Sequence, residues 1–205
     1  PITEATARFS VDPRLAHLGV ETLSVIHFVL ADGTERAFQY SGNPGLLPLD
    51  PRWHQAVFRF VKLGFLHILD GLDHLLFILL LVIPFRRFVP LVSIVTAFTV
   101  AHSITLVASA MGLTPGALWF PPFIETLIAL SIVYMALENI VGAKVGRRWV
   151  VAFVFGLVHG FGFSFVLQES LQYAGVHLVS SLLSFNVGVE LGQLLVLVLS
   201  LPLLR

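Results

Sequence analysis

Histidine and aspartate side chains interrupt long apolar stretches of the sequence. Asp70 and Asp73 lie beside two of the histidines, and four histidines share this setting: His67, His74, His102 and His159. At about 100° per residue, the polar residues between 67 and 74 fall within one arc of roughly 120° on a helix. Imidazole nitrogens and carboxylate oxygens are suitable ligands for Ni, Co, Zn or Fe. The pattern therefore predicts that the histidines converge with a carboxylate on one metal ion.

Carboxylates recur in the same stretches: Asp70, Asp73, Glu125, Glu138 and Glu190. An ionised carboxylate in hydrocarbon costs at least about 2.5–3.5 kcal/mol on insertion scales. Each must therefore be protonated, face water or face a bound cation. Two have structural alternatives: Glu125 follows two prolines and fits the positive end of a helix, and Glu138 lies near the end of its stretch, where water can solvate it.

The composition indicates the medium in which these residues lie. Of the 205 residues, 57% are hydrophobic and 12% are charged, whereas about a quarter are charged in soluble domains. The chain is therefore expected to lie in a lipid bilayer. It has zero net charge and no basic block, so nucleic acid is not an expected partner. Because cysteine is absent, any chemistry must use oxygen and imidazole groups.

Five apolar runs are long enough to cross a hydrocarbon core, which needs roughly 20 helical residues. They lie near 58–83, 89–111, 122–142, 149–168 and 178–203. The connections at 84–88 and 142–148 carry Lys and Arg, while those at 114–122 and 168–177 carry neither. By the positive-inside rule, the N-terminus then lies outside the inner (plasma) membrane. We predict a mainly α, polytopic transmembrane bundle, and we expect the natural chain to continue beyond Arg205.

The first 50 residues differ from the rest and predict a small extracytoplasmic β segment with a linker, ahead of a transmembrane domain over 51–205. Alternating apolar residues at 26–30 and 38–40 flank an Asp32-Gly33 turn. This arrangement is a strong signal for a β-hairpin. Such a segment could offer a binding surface to a periplasmic partner.

Polar side chains on two further runs share single helix faces. One face carries Thr96, Thr99, His102 and Ser103, and the other carries Asn186, Glu190 and Gln193. Hydroxyl and amide groups of this kind hydrogen-bond one membrane helix to another.

A short internal echo links the first and fourth runs. Gly64 precedes His67 by three positions, and Gly156 precedes His159 by three. Because the two runs have opposite predicted directions, the echo is typical of an inverted repeat in transporters.

Several motifs resemble those of one membrane-protein family. They are His67-x5-Asp73-His74, the run 96–106 with His102, the run 125–134 and Gly156-Leu157-Val158-His159-Gly160. Together these motifs are similar to segments of the HupE/UreJ group, over about residues 58–195. The resemblance implies a nickel or cobalt permease that accompanies hydrogenase and urease maturation. It also implies metal handling by His67, Asp73, His74 and His159. After Gly160 the sequence departs from the permease pattern, and its β segment resembles the longer branch of the family.

Three functions remain open on these residues. A divalent-metal permease would coordinate the ion with His67, Asp73, His102 and His159, while Asp70 and Glu190 supply charge along the path. An intramembrane zinc hydrolase acting on a lipid or peptide would use Asp70 or Glu190 as general base for a metal-bound water. In a non-catalytic receptor or anchor for a periplasmic partner, the polar residues would serve structure only.

Overall fold

The computed structural model describes residues 10–11, 23–29, 35–41, 47–48, 53–85, 87–142, 145–171 and 178–203. The strands of this part of the chain are β1 (Ser10–Val11), β2 (Leu23–Val29), β3 (Glu35–Ser41) and β4 (Leu47–Pro48). Its helices are α1 (Trp53–Asp70), α2 (Leu72–Val82), α3 (Phe88–Ala110), α4 (Phe120–Val141), α5 (Arg148–Leu171) and α6 (Leu178–Leu203). A 3-10 turn, Val145–Arg147, leads into α5.

The N-terminal strands form two antiparallel pairs, β1 with β4 and β2 with β3. In the longer pair, Leu23 lies opposite Ser41 and Val29 lies opposite Glu35. The antiparallel pairing predicted for this segment is therefore present. The Asp32-Gly33 turn predicted to join the two strands lies outside the described residues.

The helices are those of a multi-pass membrane protein. Among the described residues, α3, α4 and α6 are each long and apolar enough to cross a membrane, and α1 with α2 counts as a further span if the bent pair is taken together. Large apolar side chains face outward, including Leu118, Ile140 and Val89, which are 95%, 80% and 77% exposed. Such a surface suits lipid rather than water. The count of five spans stays a prediction.

The first apolar run is broken at Gly71, where the sequence predicted one continuous helix. Residue 71 has an extended ψ of 98°, and the axes of α1 and α2 differ by 71°. A methyl group at this position would lie 2.7 Å from the carbonyl oxygen of His67 and 2.9 Å from Nδ1 of His74. The prediction of a single polar stripe was therefore wrong, because His67 and Asp70 end α1 whereas Asp73 and His74 begin α2.

Glycines bring α1 and α6 into direct backbone contact. A β-carbon on Gly64 would overlap the carbonyl group of Phe185, and one on Gly188 would overlap that of Val61. Small residues allow membrane helices to approach this closely. Gly192 similarly faces Ile68 one turn further on. Gly188 faces Val61 and Phe65, whereas Gly192 faces Phe65 and Ile68. These contacts advance along both helices together, so α1 and α6 run in the same direction.

A second pair, α3 and α5, is joined in the same manner. A β-carbon on Gly156 would overlap the carbonyl oxygen of Phe98, and one on Gly160 would overlap that of His102. These contacts also advance together, so α3 and α5 are parallel. In contrast, α4 runs antiparallel to α5, since Ser131 faces His159 while Glu138 faces Arg148.

Arg148 occupies a position that the sequence did not predict. It was placed in a cytoplasmic connection, but it begins α5 and its side chain is fully buried. Its Nη1 donates hydrogen bonds of 3.2 Å to the carbonyl oxygens of Leu80 and Leu81, which lie at the end of α2, where helical partners run out. Its Nη2 lies 3.2 Å from Glu138 Oε2 and also donates to Asn139 Oδ1. Glu138 therefore has a structural partner, as its position near a helix end indicated.

Replacing Gly188 by Ala should destabilise the bundle, because the added methyl group must push α1 away from α6. Overpacking of this kind typically costs about 1–3 kcal/mol. The matched control is Gly146→Ala, since no atom lies within 4 Å of a β-carbon at that position. Thermal unfolding in detergent should give a lower Tm for Gly188→Ala alone. Equal Tm values for the two variants would contradict the contact.

Single-cysteine labelling should report the predicted orientation without background, because the chain has no cysteine of its own. A membrane-impermeant maleimide added to intact cells should label Thr114→Cys, whose connection carries no Lys or Arg. It should label Gly146→Cys only after permeabilisation, since that connection carries the basic residues. The reverse result would overturn the orientation.

Candidate metal centre

Four histidine rings meet where α1, α2, α3 and α5 come together. The ring centroids of His67 and His74 are 4.5 Å apart, and those of His74 and His159 are 5.2 Å apart. His102 lies 6.2 Å from both His67 and His74. His74, His102 and His159 are buried, and His67 is half-buried. The structure thus brings together four imidazoles that belong to four different helices; we call them the histidine cluster.

Most of the buried nitrogens of the histidine cluster lack hydrogen-bond partners among the described residues. They are His67 Nε2, His74 Nε2, both ring nitrogens of His102, and His159 Nδ1. A buried polar group left without a partner costs about 1–3 kcal/mol. Native interiors seldom leave such groups unpaired, so each needs an explanation. A cluster of unpaired imidazoles is what a binding site for a transition-metal ion would contain before the ion arrives.

The rings are close together without forming a complete coordination shell. In the described part of the chain, no three His, Asp or Glu side chains are arranged so that they could hold one ion. Binding would therefore require side-chain rotation. The unpaired nitrogens of His67, His74 and His102 have no hydrogen bond to lose when the rings rotate. At these atoms the rotation therefore costs no hydrogen-bond energy.

Ser131 on α4 forms a hydrogen bond with one ring nitrogen of His159, and the direction of this bond fixes the tautomer of the ring. Its hydroxyl lies 2.6 Å from the carbonyl oxygen of Ile128 and 3.0 Å from His159 Nε2. A hydroxyl has one hydrogen to donate. If that hydrogen goes to the closer carbonyl, Ser131 accepts a hydrogen bond from Nε2–H. The lone pair of His159 then resides on Nδ1, which is the buried atom without a partner.

The carboxylates lie beside the histidine cluster rather than within it. Asp70, Asp73 and Glu125 are exposed, and with His67, His74 and His159 they line a cavity of about 350 Å³. Glu125 thus lines this cavity, and its position near the start of a helix, after two prolines, is compatible with the structural alternative as well. The cavity gives a hydrated cation acidic walls on one side of the histidine cluster.

Glu190 does not belong to this cavity. Its Oε1 accepts a 2.6 Å hydrogen bond from Thr96 at the contact between α3 and α6. Of the two carboxylates considered as general bases, Asp70 therefore lines the cavity with the histidines, whereas Glu190 lies elsewhere in the bundle.

One protein-family model matches most of the chain. The model described as HupE / UreJ protein matches residues 47–205. The chain belongs to the HupE/UreJ family. This family is linked to the handling of nickel and cobalt in membranes. No curated protein and no solved structure gives a significant match to the sequence.

Phenylalanines surround the histidine cluster of this HupE/UreJ protein, and the sequence analysis missed them. Phe163 packs on His67 with ring centroids 3.8 Å apart. Phe98 stacks against His102 at 6.0 Å and meets His159 edge-on at 5.3 Å, and Phe77 lies 5.3 Å from His159. The available signal was helical spacing, since Phe98 precedes His102 by four residues and Phe163 follows His159 by four. These rings give the histidine cluster apolar neighbours.

Removing the Ser131 hydroxyl should weaken metal binding by this HupE/UreJ protein. Without it, His159 Nε2–H loses its partner and the ring is free to turn. Loss of such outer partners typically lowers metal affinity about 10–100-fold. Titration of purified Ser131→Ala with Co²⁺, followed by its visible absorption, tests this. The control is Ser103→Ala, whose hydroxyl donates to the carbonyl oxygen of Thr99 on its own helix. Equal affinity in both variants would contradict the role of Ser131.

Proposed function

We propose that this protein is a permease for a divalent transition-metal ion of the nickel or cobalt class. The histidine cluster would be the ion's binding station within the membrane, with Asp73 as an added ligand. One observation carries the proposal: five buried imidazole nitrogens that have no partner in the described part of the chain lie beside a cavity lined by three carboxylates. Membership of a family linked to nickel and cobalt supports the same choice of cargo.

The acidic cavity and the histidine cluster would act in sequence on the ion. Exposed Asp70, Asp73 and Glu125 would raise the local concentration of cations, because clefts lined by one sign of charge focus the field. Imidazoles would then replace part of the hydration shell, and nitrogen ligands favour nickel and cobalt over the more abundant magnesium and calcium.

The two parallel helix pairs supply a means of passing the ion onward. His67 belongs to the α1/α6 pair, and His102 and His159 belong to the α3/α5 pair. The histidine cluster therefore lies between two units whose members are each in backbone contact. Transporters built from inverted units release cargo by rocking one unit against the other around a fixed site. The Gly-x2-His echo in the sequence falls on one helix of each pair.

Uptake into proteoliposomes tests the proposal. His67→Ala and His159→Ala should each lower the initial rate of Co²⁺ or Ni²⁺ uptake by about tenfold or more, because each removes an imidazole from the station. A metal-quenched dye inside the vesicles measures the rate. His54→Ala is the matched control, because this histidine is exposed at the start of α1. Wild-type rates for both cluster variants, with Tm unchanged, would refute a permease that uses this site.

A further inference from the structure

The two sides of the histidine cluster differ in access. On one side lies the acidic cavity of about 350 Å³, which is lined by Glu125 on α4 and Phe163 on α5, among other residues. Glu125 precedes Ser131 by six residues, and Phe163 follows His159 by four. The cavity therefore lies toward the start of α4 and the end of α5. An ion that enters the histidine cluster from this side must leave in the opposite direction to cross the membrane.

Arg148 occupies the opposite end of the bundle. It precedes His159 by 11 residues on α5, which is about 16 Å at the helical rise. Its side chain is fully buried, and Nη1 donates 3.2 Å hydrogen bonds to the carbonyl oxygens of Leu80 and Leu81 at the end of α2. Nη2 lies 3.2 Å from Glu138 Oε2 on α4. One guanidinium group therefore joins α2, α4 and α5 at the end that faces away from the cavity.

Asn139 holds the same guanidinium group from a second direction. Its Oδ1 accepts a hydrogen bond from Nη2 of Arg148, and its Nδ2 donates a 2.8 Å hydrogen bond to the carbonyl oxygen of Leu80. Leu80 follows His74 by six residues on α2, which is about 9 Å along that helix. The contacts of Arg148 therefore close the bundle within about two helical turns of the histidine cluster.

This closure is poorly suited to a purely structural role. A buried ion pair contributes little net stability compared with apolar side chains of similar size. Arg148 Nε is also buried without a hydrogen-bond partner among the described residues, and such a group destabilises the arrangement that buries it. Glu138 lines a second cavity of about 380 Å³, which reaches Gly142 at the end of α4. Space for a displaced guanidinium group therefore adjoins the ion pair.

We propose that Arg148 is a gate at the end of the bundle opposite the acidic cavity. It closes the route from the histidine cluster while it binds the α2 carbonyls, and it opens the route when it moves toward the second cavity. Glu138 and Asn139 are the positioning residues that hold it in the closed arrangement. The inference rests on the proposed permease function, because only a cargo that crosses the bundle needs a gate here.

The reactivity of a single cysteine tests the gate without any metal. Ala152→Cys places a thiol at a fully buried position one helical turn from Arg148. A cationic, membrane-impermeant thiol reagent is applied to vesicles whose outer face is the one that labels Gly146→Cys. Arg148→Gln should raise the labelling rate of Ala152→Cys about tenfold or more, because loss of a charge-assisted hydrogen bond shifts an opening equilibrium by that factor. Glu138→Gln, which keeps the side-chain shape, should raise it by a smaller factor.

Two controls separate an open gate from a damaged protein. Arg147→Gln makes the same change at the neighbouring exposed residue and should leave the labelling of Ala152→Cys unchanged. A second reporter, Ser181→Cys, lies at a fully buried position on α6 and should stay unlabelled in Arg148→Gln. Labelling of both reporters would show general loosening of the bundle and would overturn the gate. An unchanged rate at Ala152→Cys would overturn it as well.

Because the labelling assay contains no metal, its outcome can be read separately from that of the uptake assay. If His67→Ala and His159→Ala lower uptake while Arg148→Gln leaves Ala152→Cys protected, the permease stands and the gate is wrong. If Arg148→Gln exposes Ala152→Cys while both histidine variants transport at the wild-type rate, the proposed function fails although Arg148 does close this end of the bundle.

Discussion

A polar group inside a membrane must find its partner within the protein, because the surrounding hydrocarbon offers none. This constraint accounts for the position of the buried polar side chains. Arg148 binds the terminal carbonyls of α2, and Thr99 reaches across to Gln193. The histidine cluster departs from it most, since five of its ring nitrogens lack a partner among the described residues and lie in one small volume. Unpaired donors and acceptors that are concentrated in this manner point to a ligand rather than to packing.

The glycine contacts explain how the histidine cluster is held between two helix pairs, each of which is tightly packed. Gly64 and Gly188 leave no space between α1 and α6, and Gly156 and Gly160 do the same for α3 and α5. Closely packed backbones resist separation, so each pair behaves as a unit. The histidines lie where the two units meet and are framed by aromatic rings. A movement between the units would therefore change the ligand geometry without unfolding any helix.

The sequence by itself determined the environment and the chemical groups. Its hydropathy predicted membrane helices, because the length of an apolar run and the thickness of a bilayer are both fixed. The alternation in the N-terminal segment predicted the β2–β3 pairing for a similarly local reason. The motifs around His67, His102 and His159 indicated the HupE/UreJ family, which the match over residues 47–205 establishes. Periodicity also predicted that Thr96 and Thr99 would bond to a neighbouring helix.

The tertiary structure alone decided how those groups are arranged. Hydropathy predicted one helix over residues 58–83, because it does not detect a break at a single glycine; only the packed structure shows that a β-carbon at Gly71 would collide with the carbonyl oxygen of His67 and the side chain of His74. The sequence placed Arg148 in a connecting loop, because only the packing of the helices shows that the free carbonyls at the end of α2 lie beside it. Glu190 and Asp70 were given the same candidate roles, yet one faces α3 and the other faces the cavity. Helical periodicity gives the direction of a side chain from its own axis, whereas its neighbours depend on how the helices pack against one another.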